Sequence, residues 1–131
     1  MAESFIQDYN WKGKKVLIVE DDAAGALLLS EILHKTNIVI QVVGSGAEAV
    51  EICNKDPEIS ILILDMQTPG ISGYEAATHI RKTHKELPII AQSAFVLQEE
   101  KKHAIEAGCN TFISKPINTF KLLSTMQELL K

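Results

Sequence analysis

Aromatic side chains are scarce in this sequence, 5 % of 131 residues, so any core has to be assembled from aliphatic ones. Cysteine is nearly absent as well. Cys53 and Cys109 stand far apart, each in an apparently helical stretch, which gives neither a disulfide framework nor a metal knuckle; both read as reduced structural thiols. No apolar run exceeds the length of a strand, too short to span a bilayer. The first residues, Met1-Ala-Glu-Ser-Phe-Ile-Gln-Asp, carry acids and lack the apolar centre of a secretory signal, so a cytoplasmic location is expected. A formal net charge of −4 supplies no basic field, which argues against direct binding to nucleic acid and against membrane insertion. The four histidines, at 34, 79, 84 and 103, share no metal-ligand spacing and are expected to be solvated. Internal repeats and low-complexity tracts are also missing.

What the chain does have is a regular alternation of apolar runs and amphipathic stretches, within a length that suits one domain with a proper core. Residues 1–13, of mixed polarity and closed by Gly13, read as a leader or linker, and residues 14–131 as the domain. Strands are expected at 15–20, 38–43, 61–65, 89–93 and 111–114, and helices at 23–36, from Ser45 to Lys55, at 74–83, at 98–107 and from the cap Asn118 to Leu130. Asp56-Pro57 ends the second helix, and Gly108 closes the fourth as a left-handed residue. Five strands alternating with five helices imply an α/β fold, a doubly wound parallel sheet with right-handed crossovers. The flavodoxin-like order 2-1-3-4-5 is expected, with its switch point between the first and third strands.

The chemistry lies at the strand ends. Val16-Leu-Ile-Val runs into Glu20-Asp21, Ile61-Leu-Ile-Leu into Asp65, Ile89-Ile-Ala-Gln into Ser93, and Phe112-Ile-Ser into Lys115-Pro116. Groups at the carboxyl ends of parallel strands share one crevice, so three carboxylates, a hydroxyl and an ammonium should converge there. Two unit charges about 4 Å apart repel by roughly 4 kcal/mol at an effective dielectric of 20. Such a cluster calls for a divalent cation or for one protonated acid. Oxygen donors with room left for water and phosphate suit Mg²⁺. Lys115 and Ser93 would face a phosphoryl group, and Asp65 can serve as a nucleophile that forms an aspartyl phosphate. Singly, each residue has a plainer reading: Asp21 or Asp22 as a helix cap, Lys115 as a surface lysine, Ser93 as a turn residue. Their coincidence at successive strand ends is what outweighs those readings.

The motifs Val-Leu-Ile-Val-Glu20-Asp21-Asp22, Leu-Ile-Leu-Asp65-Met-Gln-Thr-Pro69-Gly-Ile-Ser-Gly73, Ile-Ile-Ala-Gln-Ser93-Ala94 and Phe112-Ile-Ser-Lys115-Pro116 resemble, in combination and order, those of the two-component response-regulator receiver family, of the chemotaxis-regulator kind. The resemblance covers Lys14 to Leu130. It implies that Asp65 accepts a phosphoryl group from a histidine kinase. It also implies that Mg²⁺ is held by Glu20, Asp21 and Asp65 with the main-chain carbonyl of Gln67. Ser93 would swing to the phosphoryl group, Lys115 would pair with it, and the Lys115-Pro116 bond would be cis. Phe112 takes the switch position without a hydroxyl, while Gln67 and Phe95 stand where phosphoryl lifetime is tuned. Thr68 replaces the usual methionine, a tolerable loop change, and the small Ala94 leaves the approach to Asp65 open.

The first helix is expected to bury Leu28, Leu29 and Ile32. A second stripe, Ala23, Leu27, Ser30 and His34, follows at helical spacing, beside the acids, where receivers resemble one another in docking a kinase or phosphotransfer helix. Trp11 either packs on the domain edge or marks a linker. Residues 1–13 exceed what a free-standing receiver needs, which raises excision from a hybrid kinase as an alternative to a stand-alone bacterial regulator. No output domain follows Leu130, so output is expected through a partner protein on the fourth helix, fifth strand and fifth helix, through onward phosphotransfer, or through a domain outside this chain. A haloacid-dehalogenase-type phosphatase would need an aspartate at position 67 as general acid, and Gln67 cannot act as one. A flavodoxin-like cofactor binder would need a phosphate-cradling loop after the first strand, where Glu20-Asp21-Asp22 would repel a phosphate.

Overall fold

A computed structural model describes residues 9–95 and 97–131; the first eight residues of the expected leader lie outside them. Along the chain run β1 (Lys15–Val19), α1 (Ala23–His34), β2 (Val39–Val43), α2 (Gly46–Lys55), β3 (Ile61–Asp65), α3 (Gly73–Thr83), β4 (Ile89–Ser93), α4 (Gln98–Glu106), β5 (Thr111–Ser114) and α5 (Thr119–Leu129). All strand pairs are parallel, in the order β2-β1-β3-β4-β5. The expected elements are all present, with boundaries within two residues.

The sheet is buried on both faces, which is why its inner strands read as unbroken apolar runs rather than as alternation. Val16, Ile18, Ile61, Ile63, Ile90 and Ile113 face one way, together with Leu29, Leu33, Leu122 and Met126 of α1 and α5. Leu17, Val19, Leu62, Leu64, Ile89 and Ala91 face the other way, with Ala49, Cys53, Ala76, Ala77, Ile80, Ala104 and Cys109 from the α2–α4 side. Both cysteines are thus buried and free, and burial pushes their thiols up, to about 11 and about 12. The edge strand β2 keeps Val39 and Val42 exposed.

Capping follows the sequence closely. Asp22 caps α1 by accepting from the Gly25 amide at 3.0 Å, Ser45 caps α2, Ser72 caps α3 and Asn118 caps α5. Gly108 closes the turn after α4 at φ +112°, a region open to glycine at no steric cost. Trp11 packs into the α1/α5 side, 5 % exposed, and its indole donates to Gln127 Oε1 at 2.7 Å.

The burial expected for α1 needs correcting. Leu29 and Leu33 form its buried seam, with Ile32 half-buried, whereas Leu28 is 46 % exposed. Leu28 turns toward the sheet edge, where it lines an open groove with Ile32, Ile40 and Val42. Among the described residues no further strand lies beyond β2 to bury it.

Candidate functional site

The parallel register sets the ends of β1, β3 and β4 side by side, since Val19 pairs with Leu64 and Asp65 with Gln92. The residues at those ends therefore meet. Carboxylate oxygens of Glu20, Asp21 and Asp65 lie within 4.8 Å of one another. Glu20 and Asp65 are buried, at 4 % and 3 % exposure, while Asp21 opens to solvent. Lys115 reaches in from the loop after β5, its Nζ 2.7 Å from Asp65 Oδ2 and 3.0 Å from Glu20 Oε1. A cis Lys115–Pro116 bond follows it.

Main-chain donors hold the two buried acids. The Gln67 amide donates to Asp65 Oδ1 at 2.9 Å and the Asp22 amide to Glu20 Oε2 at 3.2 Å. Burial pushes the Glu20 carboxyl above its ordinary range, against the pull of Lys115 and the Asp22 amide. Burial works on Lys115 in the opposite sense, but its bonds to Asp65 and Glu20 outweigh it and raise the ammonium's pKa. One ammonium among three carboxylates leaves the cluster negative. Hard oxygen donors in that excess, one of them open to solvent, fit a small divalent cation.

Ser93 is fully buried, and its hydroxyl is engaged elsewhere: it donates to Gln67 Oε1 at 2.8 Å and accepts from the Phe95 amide at 3.0 Å. The structure therefore gathers Glu20, Asp21, Asp65 and Lys115, and keeps Ser93 at one remove, tied to Gln67. Phe112 is half-buried against the α2–α4 side of the core, and Phe95 is 57 % exposed. Of the expected docking stripe, Ala23, Leu27 and His34 are exposed and Ser30 is half-buried.

Two contributors to the site escaped the sequence reading. Gln92, buried in β4, donates to Glu20 Oε1 at 3.2 Å; the signal was a polar residue inside an apolar run. Gly25 leaves room for Glu20, since a Cβ there would lie 3.1 Å from its Oε1. His103 of α4 is exposed, as expected, and also stacks on Tyr74 of α3.

This chain belongs to the response regulator receiver domain family, whose pattern it matches over residues 16–127; such domains are signalling switches of two-component and phosphorelay systems. It is 31 % identical over 128 residues to hybrid signal transduction histidine kinase B of Dictyostelium discoideum, a match covering 88 % of this chain and only 6 % of that protein. It is similar in structure to the Saccharomyces cerevisiae Ssk1 receiver domain, solved together with the histidine phosphotransfer protein Ypd1: TM-score 0.84, 30 % identity, 91 % of this chain and 90 % of that one. The receiver domain of the Pseudomonas aeruginosa sensor histidine kinase PA1611, solved with a magnesium ion in its active-site cleft, matches with TM-score 0.83 and 26 % identity over 90 % and 98 % of the two chains. The relatives thus include both bacterial and eukaryotic proteins. Among the described residues no helix is long and apolar enough to cross a membrane.

Proposed function

We propose that this receiver is a phosphoacceptor switch in which Asp65 takes a phosphoryl group from the phosphohistidine of a histidine kinase or phosphotransfer protein. The observation that carries the reading is the junction of Asp65 with Lys115 at 2.7 Å and with the carboxylates of Glu20 and Asp21. An Asp65 carboxylate oxygen attacks phosphorus, the O–P bond forms, and the P–N bond to the imidazole breaks. The bonding pair returns to the imidazole nitrogen of the donor: a ring protonated on its other nitrogen leaves neutral, and one without that proton takes one up from water.

Glu20, Asp21, Asp65 and the main-chain carbonyl of Gln67 would hold Mg²⁺, which when bound neutralises charge on the phosphoryl oxygens. Lys115 turns from the carboxylates to a phosphoryl oxygen. Ser93 exchanges Gln67 for the phosphoryl group, and Phe112 follows it inward. The α4–β5–α5 surface is thereby remodelled for a downstream protein. Gln67 and Phe95, flanking the pocket, set how water reaches the acyl phosphate and hence its lifetime. The donor docks on Ala23, Leu27 and Ser30 beside the acids. The domain works either as a stand-alone regulator or as the receiver of a hybrid kinase.

Intact mass after incubation with acetyl phosphate tests this. A phosphate-sized gain is expected that needs Mg²⁺ and is lost, by at least about a hundredfold in rate, in Asp65→Asn. A gain that persists in Asp65→Asn would overturn the assignment of the acceptor.

A further inference from the structure

Gln92 is 1 % exposed on the inner strand β4, and both its main chain and its side chain serve the acid pocket. Its main-chain carbonyl accepts from the Met66 amide at 3.0 Å, fixing the chain just after Asp65. Its side-chain Nε2 donates to Glu20 Oε1 at 3.2 Å. Chemistry fixes that orientation: an ionised carboxylate only accepts, so the amide nitrogen has to face it. The other end of the amide, Oε1, has no hydrogen-bond partner among the described residues. Gln92 lines a cavity of about 110 Å³ with Glu20, Asp22, Leu29 and Lys115. An unmade buried acceptor is a cost to the fold that a leucine would avoid.

We infer that Gln92 is a positioning residue for Glu20, holding that carboxylate toward the cation, and this rests on the phosphoacceptor reading above. Glu20 Oε1 has two side-chain donors, Lys115 Nζ at 3.0 Å and Gln92 Nε2 at 3.2 Å. Once Lys115 turns to a phosphoryl oxygen, Gln92 is the one of the two that stays. Being neutral, it orients the carboxylate without competing with a cation for its charge, which a second lysine would do. Gly25 clears the space Glu20 needs from the α1 side, so Glu20 is shaped from both flanks. Donors behind a metal-binding carboxylate fix its direction in this way.

The test is a calorimetric Mg²⁺ titration of the full chain without phosphoryl donor, paired with urea unfolding of the metal-free protein. Wild type is compared with Gln92→Leu and Gln92→Met. Both variants should bind Mg²⁺ roughly tenfold more weakly, the low end of what a lost outer-shell partner costs, and both should unfold at the same or higher urea concentration. Affinity within twofold of wild type would overturn the inference and leave the phosphoacceptor reading standing. Loss of affinity together with loss of stability in both variants would make Gln92 a structural residue and also overturn it. Absence of Mg²⁺ binding by the wild type would instead overturn the reading beneath it.

Discussion

The helices α3 and α4 follow the strands that carry Asp65 and Ser93, and they are held in opposite ways. α3 opens on Ser72, whose Oγ accepts from the Glu75 amide at 3.1 Å, and it buries Gly73, Ala76, Ala77 and Ile80. Gly73 approaches the end of β3 so closely that a Cβ would lie 2.6 Å from Met66 Cα and 2.8 Å from the Asp65 carbonyl oxygen. α4 opens on Leu97, 68 % exposed and without a side-chain capping bond. It buries Ala104 alone. Tyr74 ties it to α3: the hydroxyl donates to Glu100 and the ring stacks on His103 at 4.0 Å and 8°. Elements that move in switching are drawn from the weakly held part of a fold. On the proposed function, the strand end that would fix the acceptor acid is backed by an anchored helix, and the one whose hydroxyl would swing is followed by a loosely anchored one.

Substitutions can break or sharpen that contrast. The largest effect is expected from Gly73→Ala, where the intruding methyl meets backbone that cannot give way. About 3 kcal/mol of unfolding free energy should be lost, read by urea titration. Gln98→Ala, on the exposed first turn of α4, should change it by less than about 0.5 kcal/mol. Tyr74→Phe should cost about 1 kcal/mol by removing the bond to Glu100 while keeping the stack.

The tether between the two helices also has a pH signature. Burial and then the Glu100 carboxylate push the Tyr74 hydroxyl from 10 up to about 12. The folded-state pKa is raised, so the stabilising contribution is complete below the unfolded value of 10 and is lost as pH climbs through 12. Absorbance titration should place one of the two tyrosines near 12, and Tyr74→Phe should remove that step. Of these substitutions, Leu97→Ser is the one expected to stabilise. Supplying the missing cap should raise stability by up to about 1 kcal/mol, seen as a higher thermal midpoint.

Much of the site was legible because its residues sit at strand ends, where a two-sided parallel sheet writes each strand as an apolar run with a polar stop. Glu20, Asp21, Asp65, Ser93 and Lys115 could be placed on one edge before any coordinates, and Asp22, Ser45 and Asn118 announced their helices by capping chemistry. The failures share a cause, which is dependence on what lies across the fold. Leu28 is as apolar as Leu29, and only the position of the edge strand decides that it faces an open groove. The polarity of Gln92 was visible, but its partner three strands of chain away was not. The bond between Ser93 and Gln67, and that between Tyr74 and Glu100, join loops or helices whose mutual distance no local pattern encodes. Trp11 left both of its readings open until α5 was seen to supply Gln127.

The most direct test of the account is hydrogen–deuterium exchange by helix, before and after phosphorylation with acetyl phosphate and Mg²⁺. The expected result is that α4 amides exchange faster than those of α3 in the unmodified protein, and that phosphorylation changes exchange in α4, β5 and α5 while leaving α3 as it was. Equal protection of α3 and α4, unchanged by a phosphoryl group shown by mass to be present, would contradict it.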